Sequence, residues 1–178
     1  RKGIEHAIDL VHKLGNQHFK LLISHEAGDE GVEYADWLKD HARERGVDLR
    51  LIATSVPGAP ERPSLWELYV HADFITYPSL YEGFGNAFLE AVYFQKPTLI
   101  NRYAIFVRDI EPKSFDLIVM DGYLTKKNVQ KVREVLENQD LRERMTDHNY
   151  TVAARHYSYA MLKRQLDNMM ANFFGVNG

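Results

Sequence analysis

The sequence of 178 residues contains no cysteine, no long apolar run and no cluster of basic side chains. Without cysteine, the chain forms no disulfide and uses no thiol nucleophile. No stretch approaches the ~20 apolar residues of a membrane-spanning helix, and Arg1-Lys2-Gly3 does not open a signal peptide. The formal net charge of −3 gives no electrostatic footprint for nucleic acid. We therefore expect a cytoplasmic protein with no transmembrane segment and no nucleic-acid partner.

What is present is sufficient for one domain with a full core, since 45% of the residues are hydrophobic. Amphipathic segments alternate with short β-branched or aromatic runs, which is typical of an α/β fold with a parallel sheet flanked by helices. The helices are predicted over Gly3–Leu14, Val32–Arg45, Ser64–Ala72, Asn86–Phe94, Thr125–Leu136, Gln139–His156 and Ser158–Phe174. The strands are predicted over Phe19–Ile23, Val47–Ala53, Phe74–Tyr77, Thr98–Ile100 and Phe115–Met120. Between the last two strands, residues 102–114 are predicted as loop with a short helix.

The stretch from Phe74 to Asn101 reads as strand, glycine loop, helix and second strand. Pro78 ends the first strand because it has no N–H for a strand ladder. The loop ends with Gly83 and Gly85, and Asn86 is a candidate N-cap for the helix that follows. Backbone N–H groups and the positive end of a helix dipole converge at such a loop, so this unit favours an anion such as a diphosphate.

Two carboxylates lie in this unit, Glu82 in the loop and Glu90 in the helix, with seven residues between them. A carboxylate near a helix N-terminus is able to accept hydrogen bonds from vicinal hydroxyls, as in a ribose. From spacing alone, an equally good interpretation is that both charges merely complement the helix dipole.

The residues of this unit resemble the signature of the retaining family 4 glycosyltransferases, which have the GT-B fold. The resemblance rests on Pro78-Ser79, on Glu82-Gly83-Phe84-Gly85 and on Glu90, each at its fixed offset in a strand-loop-helix context. It implies that the chain is the Rossmann-like C-terminal half of a GT-B enzyme, the half that binds the nucleotide sugar.

The resemblance also implies roles for individual residues. Glu82 would lie by the donor sugar and diphosphate, Glu90 would take the ribose, and Lys2 would neutralise the diphosphate. The loop and the helix start would offer backbone N–H groups to the nucleotide sugar, and Thr54 would lie where the backbone meets the base. The residues expected to bind the nucleotide sugar in this way are Gly83, Phe84, Gly85, Asn86 and Thr54. The alternative for Lys2 is an exposed terminal lysine.

The function implied is transfer of a hexosyl unit from a nucleotide diphosphate sugar to an acceptor, with retention and with no metal or other cofactor. An arginine on a preceding strand and the N-terminal acceptor domain are expected elsewhere in the same protein. The chain covering residues 1–178 is then one donor-binding domain, inactive alone. Donor sugar, base and acceptor stay open, as do two alternatives: a related sugar-nucleotide epimerase and a non-catalytic nucleotide-binding module.

One departure from the family pattern concerns a loop near the expected donor site. Where the family often has Gly-Gly after the second strand of this unit, the chain has Arg102-Tyr103-Ala104. Aromatic side chains near the site, Tyr81, Phe84 and Tyr103, either stack on a base or sugar or pack within the protein.

Overall fold

Short parallel strands alternate with helices in the residues that this computed structural model describes, which are 2–15, 19–24, 31–52 and 62–174, without the side chains of 173 and 174. The strands are β1 Lys20–Ser24, β2 Asp48–Ile52, β3 Ile75–Tyr77, β4 Thr98–Asn101 and β5 Ile118–Met120. The α-helices are α1 Ile4–Leu14, α2 Val32–Glu44, α3 Leu65–His71, α4 Asn86–Tyr93, α5 Lys126–Glu137, α6 Gln139–Tyr157 and α7 Tyr159–Phe174. The predicted α/β class with parallel strands flanked by helices is confirmed.

The strands pair in two sets rather than in the one sheet that the pattern predicts. β1 pairs with β2, and β4 lies between β3 and β5. All pairings are parallel, with Tyr77 opposite Ile100 and Asn101 opposite Met120. Because the strands are parallel, β3, β4 and β5 all end at one edge, where the loops that follow them meet.

Helix α1 joins the two sets of strands through different faces. Its residues Ala7, Ile8 and Val11 pack with residues of β1 and α2, including Leu21 and Leu38. Its residues Leu10 and Leu14 pack instead into a second cluster with side chains from β4, β5 and α5. Fully burying one such side chain contributes about 1.5–3 kcal/mol. This double packing holds α1 in a fixed position relative to β1, β4 and β5.

Helix α4 is held over β4 by a third cluster. Phe88 and Val92 of α4 pack on Ile100, and the ring of Phe115 meets Phe88 edge-on with centroids 5.1 Å apart. The region between β4 and β5, predicted as loop with a short helix, holds a π-helix over Phe106–Ile110 and a 3-10 helix over Glu111–Lys113. Its residues Phe106 and Ile110 complete the cluster.

The two longest helices, α6 and α7, differ in how much apolar surface they bury. α6 packs on α4 and buries Met145 and Val152. α7 contacts α6 and leaves Leu162 and Leu166 about half exposed. None of the helices in the described ranges combines the length and the apolar character that crossing a bilayer requires.

Candidate functional site

The loop between β3 and α4 ends in a glycine with a left-handed backbone. Gly85 has φ 96° and ψ 65°, and it is the residue that caps α4. The prediction that Asn86 is the N-cap was wrong: Asn86 is the first helical residue, because the chain turns at the glycine, the residue that adopts positive φ without strain. No side chain caps this helix. The first backbone N–H groups of a helix have no acceptor within it, so this end of α4 is suited to an anion.

Lys2 and Glu82, predicted to act together on a donor, form an ion pair although 80 residues separate them. The distance from Lys2 Nζ to Glu82 Oε1 is 2.9 Å, and the side chains are 30% and 14% exposed. Gly3 makes the approach possible, since it has φ 63° and a Cβ there would lie 2.6 Å from the carbonyl oxygen of Pro78. A cation is therefore fixed beside the end of β3.

Glu82 is held ionised by its neighbours. Partial burial alone would raise the pKa of this carboxyl, but hydrogen bonds from Lys2, Ser79 and Tyr77, together with the charge of Lys2, lower it below its ordinary value. Tyr77 was not predicted as a site residue. The signal was weak, because an aromatic residue in a strand usually only packs.

Two tyrosines, Tyr77 from β3 and Tyr103 after β4, lie against the glycine loop. The Tyr103 hydroxyl donates to the carbonyl oxygen of Phe84 at 2.9 Å. Tyr103 is 2% exposed, so it packs within the protein and offers no face for stacking on a ligand. The ring of Phe84 packs edge-on against Tyr157 of α6, with centroids 5.3 Å apart. Of the three aromatic candidates, Tyr81 presents an exposed ring, 67% accessible.

Asn101, the last residue of β4, connects the ends of three strands. Its side-chain amide donates to the carbonyl oxygen of Ser79 at 3.1 Å, and its Oδ1 accepts from the backbone N–H of Gly122 at 2.9 Å. The residue is 3% exposed. Sequence reasoning missed this role, although a polar residue that ends a fully buried strand was a signal. Asn101 fixes the loop after β3 relative to the turn after β5.

Glu90 lies in the second turn of α4, and a tyrosine of α3 is its neighbour. Burial raises the pKa of Tyr69, and the charge and hydrogen bond of the Glu90 carboxylate raise it further, so the Tyr69 hydroxyl stays protonated. The Tyr69 hydroxyl also lies 3.3 Å from the carbonyl oxygen of Ala87. The Tyr69 ring stacks on Phe94 at 5.3 Å. The Glu90 carboxylate therefore lies near the Tyr69 hydroxyl, on the side of α4 that faces α3.

The remaining predicted site residues are placed differently. Gly83 is exposed, and a Cβ there would meet no atom within 4 Å. Asn86 is exposed at the start of α4. Thr54 lies outside the described residues. Within the described ranges, no group of three or more His, Asp or Glu side chains is arranged to hold a metal ion. The described site thus combines one cation, an uncapped helix start and two carboxylates, a set suited to phosphate and hydroxyl groups.

Comparison with known proteins gives matches along most of the chain. The model of a family described as "Glycosyl transferases group 1" matches residues 1–152. A mannosylglucosylglycerate synthase from Thermotoga maritima is 33% identical over an alignment of 147 residues, and the match covers 75% of this chain and 34% of that protein. A protein of the same name from Petrotoga mobilis is 41% identical over 93 residues, 50% of this chain and 22% of that protein. The chain thus spans about a third or less of these curated relatives.

Solved structures share the fold at low sequence identity. HepE from Anabaena in complex with UDP-glucose has a TM-score of 0.78 and 13% identity, and the match covers 96% of this chain and 45% of that chain. The C-terminal domain of LpcC, a glycosyl transferase group 1 family protein from Francisella tularensis, has a TM-score of 0.70 and 17% identity over 89% of this chain and 80% of that chain. At this sequence identity, these two structural similarities show a shared fold and nothing further.

Proposed function

Because the chain belongs to the group 1 glycosyl transferases, we propose that its site binds the diphosphate of a nucleotide sugar and that the whole protein transfers the hexosyl unit to an acceptor with retention. The observation that carries this proposal is the ion pair of Lys2 and Glu82, fixed beside a glycine loop that opens an uncapped helix. A cation and a helix N-terminus at one point are what a diphosphate requires.

Each residue has a role in this proposal. Lys2 and the helix dipole of α4 stabilise the negative charge that the diphosphate gains as the glycosidic bond breaks. Backbone N–H groups at Phe84, Gly85 and Asn86 donate to phosphate oxygens, with Gly83 shaping the loop. Glu82 faces the donor sugar. Glu90 takes the ribose hydroxyls, and Thr54 contacts the base.

We propose that this reaction needs no metal or other cofactor. Lys2 and the helix dipole neutralise the charge that a divalent ion would otherwise carry. A uridine nucleotide is the first donor to test, because HepE was solved with UDP and with UDP-glucose. Hexosyl transfer is in keeping with the name of the mannosylglucosylglycerate synthases among the relatives.

We further propose that the acceptor site lies in an N-terminal domain of the same protein. The relatives and HepE are more than twice as long as the part that this chain matches, which supports a second domain. A strand before α1 would pair between β1 and β3, which lie at edges of the two sets of strands. Gly3 supports this placement, since a Cβ on it would lie 2.6 Å from the carbonyl oxygen of Pro78 after β3, and the helix that follows it, α1, packs on β1.

Calorimetric titration of the 178-residue chain with UDP, GDP and ADP tests this function. We expect one of the three to bind, with the same affinity in EDTA, and we expect no transfer from the matching nucleotide sugars by this chain alone. Absence of binding by all three, or loss of binding in EDTA, would refute the proposed site. Turnover by the chain alone would refute the two-domain cleft.

The ribose role of Glu90 makes a separate prediction. Glu90→Gln should weaken the binding of the nucleoside diphosphate by about 1–3 kcal/mol, the usual loss for a hydrogen bond to a charged group. The matching 2′,3′-dideoxynucleoside diphosphate lacks both ribose hydroxyls, so it should bind the native chain as weakly as the nucleoside diphosphate binds Glu90→Gln. The native chain and the variant should bind the dideoxy compound with the same affinity. Glu44→Gln, an exposed carboxylate of α2, is the matched control. An equal loss with the ribose and dideoxy compounds in Glu90→Gln would remove the ribose assignment.

A further inference from the structure

The tyrosine floor, defined as Tyr77 of β3 and Tyr103 after β4, lies under the glycine loop and is not part of the proposed donor contacts. We propose that Tyr103, assisted by Tyr77, is a positioning residue that holds the backbone of Phe84 to Asn86 in the conformation that receives the diphosphate. The inference rests on the proposed function, because the diphosphate is the ligand that this backbone would bind.

The floor reaches the loop at two points. Tyr103 donates to the carbonyl oxygen of Phe84 at 2.9 Å, which fixes the peptide between Phe84 and Gly85. Tyr77 lies near the carboxylate of Glu82, three residues before Gly85, and contributes to the lowered pKa of that carboxyl. The two rings meet edge-on, with centroids 6.2 Å apart and an interplanar angle of 77°. The end of the loop is therefore hydrogen-bonded to the floor, and its earlier part lies beside it.

Contact at Gly85 shows how closely the loop rests on the floor. A Cβ on Gly85 would lie 2.5 Å from the Tyr103 hydroxyl and 3.2 Å from the Tyr77 ring and hydroxyl. Real Cβ atoms do not approach another heavy atom as closely as 2.5 Å. The backbone of Gly85 thus lies in contact with the floor, and its positive φ turns the chain into α4.

The Tyr103 hydroxyl is suited to act as a permanent donor. Burial is the larger cause and the charge of Glu82 the second; together they raise the pKa of Tyr103 to about 12, so the proton stays on the hydroxyl at neutral pH. With the residue 2% exposed, its effect on a ligand passes through the loop backbone and not through direct contact.

Tyr103→Phe tests the inference, since it removes the hydroxyl and keeps the ring. We expect affinity for whichever of UDP, GDP and ADP binds the native chain to fall about three- to tenfold, as for loss of one hydrogen bond. Titrations are made well below the unfolding midpoints of both proteins. Amide hydrogen exchange at the end of the loop, measured at Phe88 because its N–H donates to the carbonyl oxygen of Gly85 at 3.0 Å, should accelerate. Exchange at Leu99 and Ile100 in β4 should stay unchanged. Tyr150 is an exposed tyrosine of α6, so Tyr150→Phe is the control. It should change neither the nucleotide affinity nor the amide exchange.

Two outcomes would overturn the positioning role. If Tyr103→Phe lowers the unfolding midpoint but leaves affinity and loop exchange unchanged, the hydroxyl only stabilises the fold. If exchange accelerates equally in β4, the effect is global. When the native chain binds no nucleotide the proposed function fails, yet the exchange measurement still decides whether Tyr103 holds the loop. Tyr77→Phe provides a second variant, expected to accelerate exchange in the same loop.

Discussion

Replacing Gly85 by alanine should abolish nucleoside diphosphate binding and destabilise the domain. A non-glycine residue at φ 96° costs about 1–2 kcal/mol. The new Cβ would also lie 2.5 Å from the Tyr103 hydroxyl, and overpacking of this kind costs about 1–3 kcal/mol. A loss of about 2–5 kcal/mol corresponds to a fall of about 4–20 °C in the thermal midpoint for a domain of this size. Circular dichroism and calorimetric titration measure the two effects.

Gly83→Ala is the matched control for the stability effect of Gly85→Ala, because a Cβ at Gly83 meets no atom within 4 Å. We expect its midpoint to lie close to that of the native chain. The titration of Gly85→Ala is made at low temperature, where circular dichroism shows it folded, so that lost binding is not confused with unfolding. Native affinity in folded Gly85→Ala would contradict the role of this backbone in the site.

Replacing Lys2 by methionine should weaken nucleoside diphosphate binding about ten- to hundredfold. The reason is loss of a charge-assisted contact to phosphate, which contributes about 1.5–3 kcal/mol. The effect should be confined to the phosphates, so the corresponding nucleoside should bind native chain and variant alike. Titration of both compounds against both proteins makes this comparison directly.

Removal of Lys2 also changes the surroundings of Glu82, which gives an independent readout. In the native chain the pKa of Glu82 lies below its ordinary value. A lowered carboxyl pKa stabilises the fold above the unfolded-state pKa, and this contribution is lost as pH falls through the folded-state pKa. Lys2→Met should therefore show a weaker loss of stability between neutral and acidic pH. Lys39→Met, an exposed lysine of α2 paired with Asp36, should behave as the native chain in both tests. Equal binding of the diphosphate by Lys2→Met and Lys39→Met would contradict the assignment.

Local sequence signals predicted the central unit well. Pro78 and Pro97 delimit β3, α4 and β4, and each observed end lies within one or two residues of the predicted one. Helices α3 and α5 begin one residue after their predicted starts, because Ser64 and Thr125 act as caps with reciprocal side-chain bonds. These features depend on residues only a few positions away in the chain, so a short stretch of sequence is sufficient to predict them.

Features that depend on distant residues were not predictable in the same way. Asn86 looked like a cap because its side chain is suited to the role, but the turn is made by Gly85 against two tyrosines whose positions follow from the tertiary fold. Asn101 joins segments about 20 residues away on either side. The family resemblance placed Lys2 and Glu82 at the donor, but the ion pair that joins them across 80 residues was not predicted. The π-helix over Phe106–Ile110 follows no local pattern that separates it from an ordinary helical turn.

We propose that a nucleoside diphosphate binds beside Lys2, the glycine loop and the start of α4. The most direct test is to follow the amide resonances of the 15N-labelled chain during titration with UDP, GDP and ADP in the presence of EDTA. If the nucleotide binds there, the largest shifts should fall on Glu82 to Glu90 and on Gly3, while the resonances of α7 stay unchanged. Shifts concentrated elsewhere in the chain, with the loop amides unmoved at saturation, would contradict it.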